Sequence, residues 1–138
     1  MKYLTAEEIL IIHAEMIDQI GGLHGVREIN LLQSAAHRAK TSYSGHELYK
    51  TVFDKAGAYL QSLAMYHVFL DGNKRTAIAA SARFLDLNGY ELEVSNKEME
   101  SFVLDVVVKK LEITEIAKWL KKHSREKPKN GKGLKKKS

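Results

Sequence analysis

The sequence predicts an all-α fold, a compact single domain of about six helices. Apolar residues recur at spacings of three and four residues in several segments, which is typical of helices that bury one face. Three segments begin with the Ser/Thr-x-x-Glu pattern of a capping box, at Thr5, Ser44 and Ser95. Neither an internal repeat nor an alternation of strand and helix patterns is present. The length of 138 residues suits one domain with a real hydrophobic core.

The charge is distributed unevenly along the chain. The net charge of +5 combines −3 over residues 1–120 with +8 over residues 121–138, which hold eight Lys, one Arg and one Glu. We therefore predict a helical domain at residues 1–123 and a basic, disordered tail at residues 124–138. Such a tail can contact RNA or DNA weakly through phosphates, but a tail that only adds solubility explains the composition equally well.

The composition argues against a membrane or secreted protein. The chain has no run of about 18 apolar residues that would span a bilayer. Met1 leads within a few residues into the capping box at Thr5, without the apolar core of a signal peptide. There is no cysteine, which excludes disulfides and thiolate metal sites. We expect a cytoplasmic protein without a membrane partner.

The first two helices are predicted at residues 6–19 and 28–39. The capping box at Thr5 begins the first helix, and Gly21-Gly22 ends it. His13 lies on the apolar face of the first helix and is interpreted as a packing histidine.

The middle of the chain predicts two buried helices. The third helix is expected to start at the capping box of Ser44 and to carry an apolar face from Leu48 to Ala64. His67 lies three residues further along that face, so its side chain is expected to point into the domain. Residues 76–88 have apolar or small side chains almost all round, which predicts a buried central helix.

The remaining sequence predicts an extended segment and two more helices. Residues 90–94 are expected to be extended. The capping box at Ser95 begins a helix that runs to about Lys110, and a last helix begins at Glu112.

A cluster of polar residues begins the central helix. Gly72 permits a tight turn, after which Asn73, Lys74 and Arg75 enter the helix. The first N–H groups of a helix have no partner within it and lie at the positive end of its dipole, so they can bind an anion. Lys74 and Arg75 add full charges suited to phosphate oxygens. The pattern predicts a phosphate site, although it is not the Gly-x-x-x-x-Gly-Lys-Ser/Thr pattern of a P-loop.

Two titratable residues precede this turn. Asp71 can bind a magnesium ion, which prefers one or two carboxylates together with substrate phosphates. His67 can accept a hydroxyl proton near neutral pH. Taken singly, each has a structural explanation, as a helix cap for Asp71 and as a hydrogen-bonded residue for His67. Arg27, in an earlier loop, either reaches a phosphate or serves only as a charge at the start of the second helix.

The sequence of residues 67–76 is specific enough to suggest a family. It reads His-Val-Phe-Leu-Asp-Gly-Asn-Lys-Arg-Thr and resembles the Fic/Doc family motif in its Doc (death-on-curing) form, His-x-Phe-x-Asp-Gly-Asn-Lys-Arg-Thr. Further similarity, which extends the resemblance over the chain to about residue 120, lies at residues 21–27, 31–35, 53–56 and 84–90. Val68 departs from the pattern, because many relatives have proline there.

The resemblance implies transfer of a group from a nucleotide to a protein hydroxyl, with ATP and Mg²⁺ as cofactors. In that reaction the histidine is the base, the aspartate binds the metal, and the turn with the helix N-terminus holds phosphate. The residues expected in these roles are the catalytic His67, Lys74 and Arg75, the cofactor-binding Gly72, Asn73, Lys74, Arg75 and Arg27, and the metal ligand Asp71.

Two positions depart from the AMP-transferring Fic pattern and favour the Doc branch. Lys74 stands where that pattern has a second glycine, and Ile78 where it has a second arginine. In the Doc branch such a lysine goes with ATP bound in the reverse sense, which implies transfer of the γ-phosphate to a Ser or Thr.

The Doc resemblance also implies partners. It indicates the toxin of a toxin–antitoxin pair, a target such as elongation factor Tu, and inhibition in trans by a Phd-like antitoxin. Contact with nucleic acid is then indirect, through the antitoxin, or weak, through the tail. The alternatives are AMP transfer to a protein hydroxyl and a non-catalytic Fic-like binding module.

Overall fold

A computed structural model describes residues 1–128 and confirms the all-α prediction. The elements are α1 (Ala6–Ile20), α2 (Ile29–Arg38), β1 (Ser42–Tyr43), β2 (His46–Glu47), α3 (Val52–Met65), α4 (Asn73–Leu87), β3 (Tyr90–Leu92), α5 (Asn96–Val108), α6 (Ile113–Lys122) and β4 (Ser124–Glu126). The strands form two small antiparallel pairs, β1 with β2 and β3 with β4. Among the described residues, no helix is long and apolar enough to cross a lipid bilayer.

Helices α3 and α4 form the centre of the core. The buried side chains of α3 include Tyr59, Leu60 and Leu63, and those of α4 include Phe84 and Leu85. Small residues separate these large ones on both helices, which lets the two backbones approach closely. The other four helices pack around this pair, so the prediction of a buried central helix is confirmed for α4.

The helix starts show which capping predictions hold. At α1, Thr5 Oγ1 accepts from Glu8 N at 3.1 Å and Glu8 Oε1 accepts from Thr5 N at 2.9 Å, as the capping box predicts. The capping box predicted at Ser44 is wrong. Helix α3 begins eight residues later, with Thr51 as its N-cap and a reciprocal pair of hydrogen bonds to Asp54 at 3.0 and 3.2 Å.

Ser44 lies instead in a β-hairpin turn. Ser44 and Gly45 both have positive φ angles, 51° and 79°, and they join β1 to β2. Two consecutive left-handed residues are the geometry of a type I′ turn, whose twist matches that of paired strands. Tertiary contacts then fix the hairpin. The buried Lys55 of α3 donates from Nζ to Glu47 Oε1 at 2.8 Å, and this cation lowers the pKa of the Glu47 carboxyl.

The end of the described chain is also more ordered than predicted. Strand β4 (Ser124–Glu126) pairs with β3, although the predicted tail begins at residue 124. Lys127 then donates from Nζ to Asp86 Oδ1 at 2.5 Å and lowers the pKa of that carboxyl. The predicted tail boundary is therefore too early. The rest of that prediction, over residues 129–138, lies outside the described residues.

Candidate active site

The segment that joins α3 to α4 is fixed by backbone pairing with the loop after α1. Arg27 N donates to Val68 O at 2.9 Å, and Leu70 N donates to Gly25 O at 3.1 Å. Val68 and Phe69 are both buried and anchor this segment in the core. The segment is thus held against the core by both packing and backbone hydrogen bonds, as a preorganised site requires.

His67 lies outside the core, contrary to the prediction. Helix α3 ends at Met65, and His67 has a φ angle of +52°, so the helical extrapolation from Ala64 no longer applies. The imidazole is exposed, while the next residue, Val68, takes the buried position. A left-handed non-glycine residue costs about 1 kcal/mol or more, so the surrounding contacts hold His67 in this conformation.

Arg27 supplies those contacts. Its Nε donates to the His67 carbonyl oxygen at 2.6 Å, and its Nη2 donates to the Tyr66 carbonyl oxygen at 3.3 Å. The guanidinium thus holds the two peptide groups that flank the Cα of His67. Arg27 is not among the residues that line the cavity around His67. Its guanidinium supports the backbone of the site loop, and the predicted phosphate contact of Arg27 stays a prediction.

Asp71 is held by three hydrogen bonds from different parts of the chain. Its Oδ1 accepts from Gly72 N at 2.9 Å, and its Oδ2 accepts from Leu23 N at 3.1 Å. Its backbone carbonyl accepts from His13 Nε2 at 2.8 Å. Each carboxylate oxygen has two lone pairs and uses one of them here, so both oxygens can still bind a cation. The loop also approaches the carboxylate closely, since a Cβ on Gly22 would stand 2.6 Å from Asp71 Oδ2.

Asn73 closes the turn before α4. Its Oδ1 accepts from Phe69 N at 2.9 Å, and its Nδ2 donates to Phe69 O at 3.0 Å. The side-chain amide is therefore committed to the loop, and only the backbone of Asn73 faces the predicted anion site. The predicted place of Asn73 in the anion site therefore falls to its backbone N–H, and the sequence contains no sign of the two bonds to Phe69.

The N-terminus of α4 has no side-chain cap. Gly72 is the N-cap residue, with a φ angle of 77°, and the helical ladder begins with Thr76 N donating to Gly72 O at 2.9 Å. The N–H groups of Asn73, Lys74 and Arg75 precede that first bond and stay available to an anion. The first turn contains no acidic residue.

The predicted residues meet in one cavity of about 270 Å³. It is lined by Ala64, His67, Leu70, Asp71, Gly72, Asn73, Lys74 and Arg75. Lys74 and Arg75 are exposed, and within residues 1–128 neither forms an ion pair. The cavity thus brings an imidazole, a carboxylate, two cations and an uncapped helix N-terminus together, and only Arg27 of the predicted set lies outside it.

Sequence reasoning missed two groups that shape this site. His13 is buried, as a packing histidine should be, but its bond to Asp71 was not foreseen. The N–H of Leu23 also reaches the Asp71 carboxylate from a loop 48 residues away in sequence. A polar ring on an apolar helix face was the one available signal, because a buried polar atom requires a partner.

The chain is similar in sequence to known proteins. The sequence profile of the Fic/DOC family matches residues 3–85. The chain is 42% identical over 91 residues to the toxin Doc of Mycolicibacterium smegmatis, which covers 66% of this chain and 68% of that relative. It is 25% identical over 122 residues to the protein kinase doc of Escherichia phage P1, which covers 88% of this chain and 95% of that relative.

The chain therefore belongs to the Fic/DOC family, as residues 67–76 predict. Both of these relatives carry the name Doc, which supports the Doc branch of the family over the AMP-transferring branch. The departures at Lys74 and Ile78 predicted the same branch.

Proposed function

We propose that this protein transfers the γ-phosphate of ATP to a Ser or Thr hydroxyl of a protein target, as the toxin of a toxin–antitoxin pair. The observation that carries the proposal is the uncapped, cationic N-terminus of α4 in one cavity with His67 and Asp71. The name of the phage P1 relative, protein kinase doc, supports the same reaction class.

The α4 N-terminus provides the phosphate site in this proposal. Its free N–H groups point along the helix axis at the positive end of the dipole, and they need no reorganisation to bind an anion. Lys74 and Arg75 add positive charge close to the site where the transferred phosphoryl group carries negative charge. Phosphoryl transfer depends more on positioning and on this charge neutralisation than on covalent chemistry from the protein.

His67 acts as the base. Its exposed imidazole can approach a substrate hydroxyl directly and accept the proton as the oxygen attacks the γ-phosphorus. The bond from the γ-phosphorus to the bridging oxygen then breaks, and ADP leaves. Arg27 keeps the imidazole in place through its bond to the His67 carbonyl.

Asp71 would hold Mg²⁺, and its surroundings suit that ion. Within residues 1–128 no cluster of three or more His, Cys, Asp or Glu side chains could hold a metal alone. Magnesium typically binds through one or two carboxylates and keeps its other positions for waters and substrate phosphates. A single exposed carboxylate beside an anion site provides that donor set. When bound, the ion neutralises phosphate charge.

Lys74 favours phosphate transfer over AMP transfer. It is exposed and lines the cavity, at the position where AMP-transferring relatives have a glycine. A side chain there occupies space that the terminal phosphates of the nucleotide would otherwise take.

The proposed partners are a target such as elongation factor Tu and an antitoxin that acts in trans. A second cavity of about 180 Å³ adjoins the site, because Arg75 lines both. Its apolar lining comes from Met16, Ile20, Ile78, Ala79 and Met99 of three different helices. In this proposal an antitoxin helix that folds on binding places apolar side chains in this cavity.

The test uses ATP labelled at the α- or the γ-phosphate, purified elongation factor Tu or a bacterial extract, and a His67→Ala control. We expect label from the γ position alone, on one protein band, and its loss in the control. Label from the α position would establish AMP transfer instead. No label from either position, with unmodified elongation factor present and no antitoxin, would overturn the enzymatic proposal and favour a binding module.

A further inference from the structure

His13 is a buried polar side chain that the proposed reaction does not use. It lies in α1 with 2% of its surface exposed, between the buried apolar residues Ile9 and Ile17. A leucine or phenylalanine would fill such a position without the desolvation cost of two ring nitrogens. The choice of histidine therefore points to a specific polar contact.

That contact is with the loop of the active site. His13 Nε2 lies 2.8 Å from the backbone oxygen of Asp71. Because a carbonyl oxygen only accepts, Nε2 must carry the proton. The ring also stacks on Phe69, with centroids 3.8 Å apart and planes 5° from parallel. One side chain thus contacts the loop at two points, two residues apart.

These two contacts define the orientation of the Asp71 peptide. Asn73 closes the same loop through its side-chain bonds to Phe69, and that amide forms no hydrogen bond with Asp71. Without His13, the described residues supply no other hydrogen bond to the Asp71 carbonyl, and the N–H of the same peptide, from Gly72, bonds only to the Asp71 carboxylate. The bond from Leu23 N would then be the one hydrogen bond to Asp71 from outside the Asp71–Gly72 turn among the described residues, which leaves the peptide plane freer to rotate. Rotation would move the carboxylate and the Gly72 turn together.

We propose that His13 is a positioning residue, which holds Asp71 so that its carboxylate faces the phosphate site. This inference rests on the proposed function, since it takes Asp71 as the Mg²⁺ ligand. Partners that orient a metal ligand from behind typically change metal affinity or activity by about 10- to 100-fold when they are removed. His13 would act in that way through the main chain.

Two variants separate the hydrogen bond from the packing. His13→Phe keeps a flat ring that can stack on Phe69 but removes the donor. His13→Gln keeps an N–H donor of similar reach and removes the ring. The wild type and Asp71→Asn serve as the reference and the control for metal binding.

The first readout is metal binding without turnover, with Mn²⁺ in place of Mg²⁺ and free Mn²⁺ measured by electron paramagnetic resonance. We expect His13→Phe to weaken Mn²⁺ binding about tenfold, His13→Gln to recover most of the loss, and Asp71→Asn to abolish specific binding. Circular dichroism should show that His13→Phe melts within a few degrees of the wild type, because the core volume is kept.

The second readout is the Mg²⁺ dependence of phosphate transfer. We expect the half-saturating Mg²⁺ concentration to rise about tenfold in His13→Phe, while the rate at saturating Mg²⁺ falls less. A purely structural role would lower the melting temperature and leave this concentration unchanged.

The outcomes distinguish the two proposals. If His13→Phe binds Mn²⁺ as tightly as the wild type, or if His13→Gln recovers nothing, the positioning role is wrong. If the wild type binds Mn²⁺ through Asp71 but transfers no phosphate, the proposed function fails and the Mn²⁺ comparison still decides the role of His13. If the wild type binds no Mn²⁺, the role proposed for His13 fails with that of Asp71.

Discussion

Helices α3 and α4 pack side by side at the centre of the domain but begin in opposite ways. At α3, Thr51 and Asp54 cap each other's backbone, and an acidic residue complements the helix dipole. At α4, the N-cap is Gly72, no side chain caps the free N–H groups, and the first turn carries Lys74 and Arg75. The second arrangement is worse for stability on every count.

This difference separates stability from function within one helix pair. Capping is worth about 1 kcal/mol, and cations at a helix N-terminus oppose the dipole. The domain tolerates these costs at α4 because the helix is buried along its length by Ala77, Ala80 and Phe84. Groups at the α3 start should therefore affect folding and leave transfer unchanged, whereas groups at the α4 start should affect transfer far more than stability.

The largest effect on transfer is expected from His67→Ala. Loss of a general base typically lowers the rate by about 10²- to 10⁴-fold. The side chain is exposed and forms no hydrogen bond with residues 1–128, so the melting temperature should stay within a degree or two of the wild type. Initial rates with γ-labelled ATP and a thermal melt measure both quantities. A large fall in melting temperature would show that His67 is structural.

A large effect on stability, without a direct effect on transfer, is expected at high pH from the titration of Tyr59 in α3. Burial raises the pKa of Tyr59 from 10.0 to about 12. Because the folded protein favours the protonated phenol, this contribution to stability is complete below pH 10 and is lost as the pH rises toward about 12. Urea titrations between pH 9 and pH 12 measure this loss in the free energy of unfolding. The range brackets the pKa of about 10 of a free tyrosine.

Tyr59→Phe is the control for the alkaline transition. In the wild type, the Tyr59 hydroxyl accepts from Leu4 N at 3.0 Å, and the substitution leaves this buried N–H without an acceptor. The variant should therefore be less stable than the wild type at neutral pH by about 1–3 kcal/mol. Above pH 10, however, its stability should fall less steeply than that of the wild type. Equal slopes in the two proteins would assign the alkaline transition to another group.

A smaller effect, on stability, is expected from Thr51→Ala at the capped N-terminus of α3. Removing an N-cap side chain costs about 1 kcal/mol, which urea unfolding can measure. Transfer activity below the melting temperature should be unchanged, because Thr51 lines a different cavity from His67. Reduced transfer by a folded Thr51→Ala protein would contradict the division of roles between the two helices.

The smallest effect on stability, with the opposite sign, is expected from Lys74→Glu. An acidic residue in the first turn of a helix stabilises it by about 0.3–1 kcal/mol. The same change places a negative charge beside the proposed phosphate site, so transfer should be strongly reduced. Lys74→Gln, which removes charge without reversing it, should lie between the wild type and Lys74→Glu in both measurements. A Lys74→Glu protein that is less stable than the wild type would show that the helix dipole does not destabilise α4 through its interaction with the Lys74 cation.

The sequence predicted those features that depend on local patterns. The capping box at Thr5 and the buried character of α4 follow from spacing alone, and the cluster from His67 to Arg75 follows from composition and motif. The all-α class follows from the same spacing.

Features that depend on contacts between residues far apart in the sequence could not be predicted from local patterns. The pattern at Ser44 fits both a capping box and a hairpin turn, and the contact of Glu47 with the buried Lys55 accompanies the second. The direction of the His67 side chain was wrongly predicted, because α3 ends at Met65 and the segment after it pairs with residues 25–27, which are distant in sequence.

Side-chain partners were the hardest to foresee. Arg27 and Asn73 both have the chemistry of phosphate ligands, yet both bond to backbone atoms of the site loop. Strand β4 depends on a partner more than thirty residues earlier in a chain end that reads as polar. For Arg27 and Asn73 the residue was noticed and its partner was not, whereas β4 was assigned to the disordered tail.

The most direct test of the central claim is a map of backbone amide shifts when MgATP is added to ¹⁵N-labelled protein. If the uncapped N-terminus of α4 holds the nucleotide phosphates, the largest changes will fall on the amides of Asn73, Lys74 and Arg75. The amides at the start of α3, which their caps already occupy, will barely move. Changes centred elsewhere, with residues 73–75 unaffected, would contradict the assignment of the open helix end as the phosphate site.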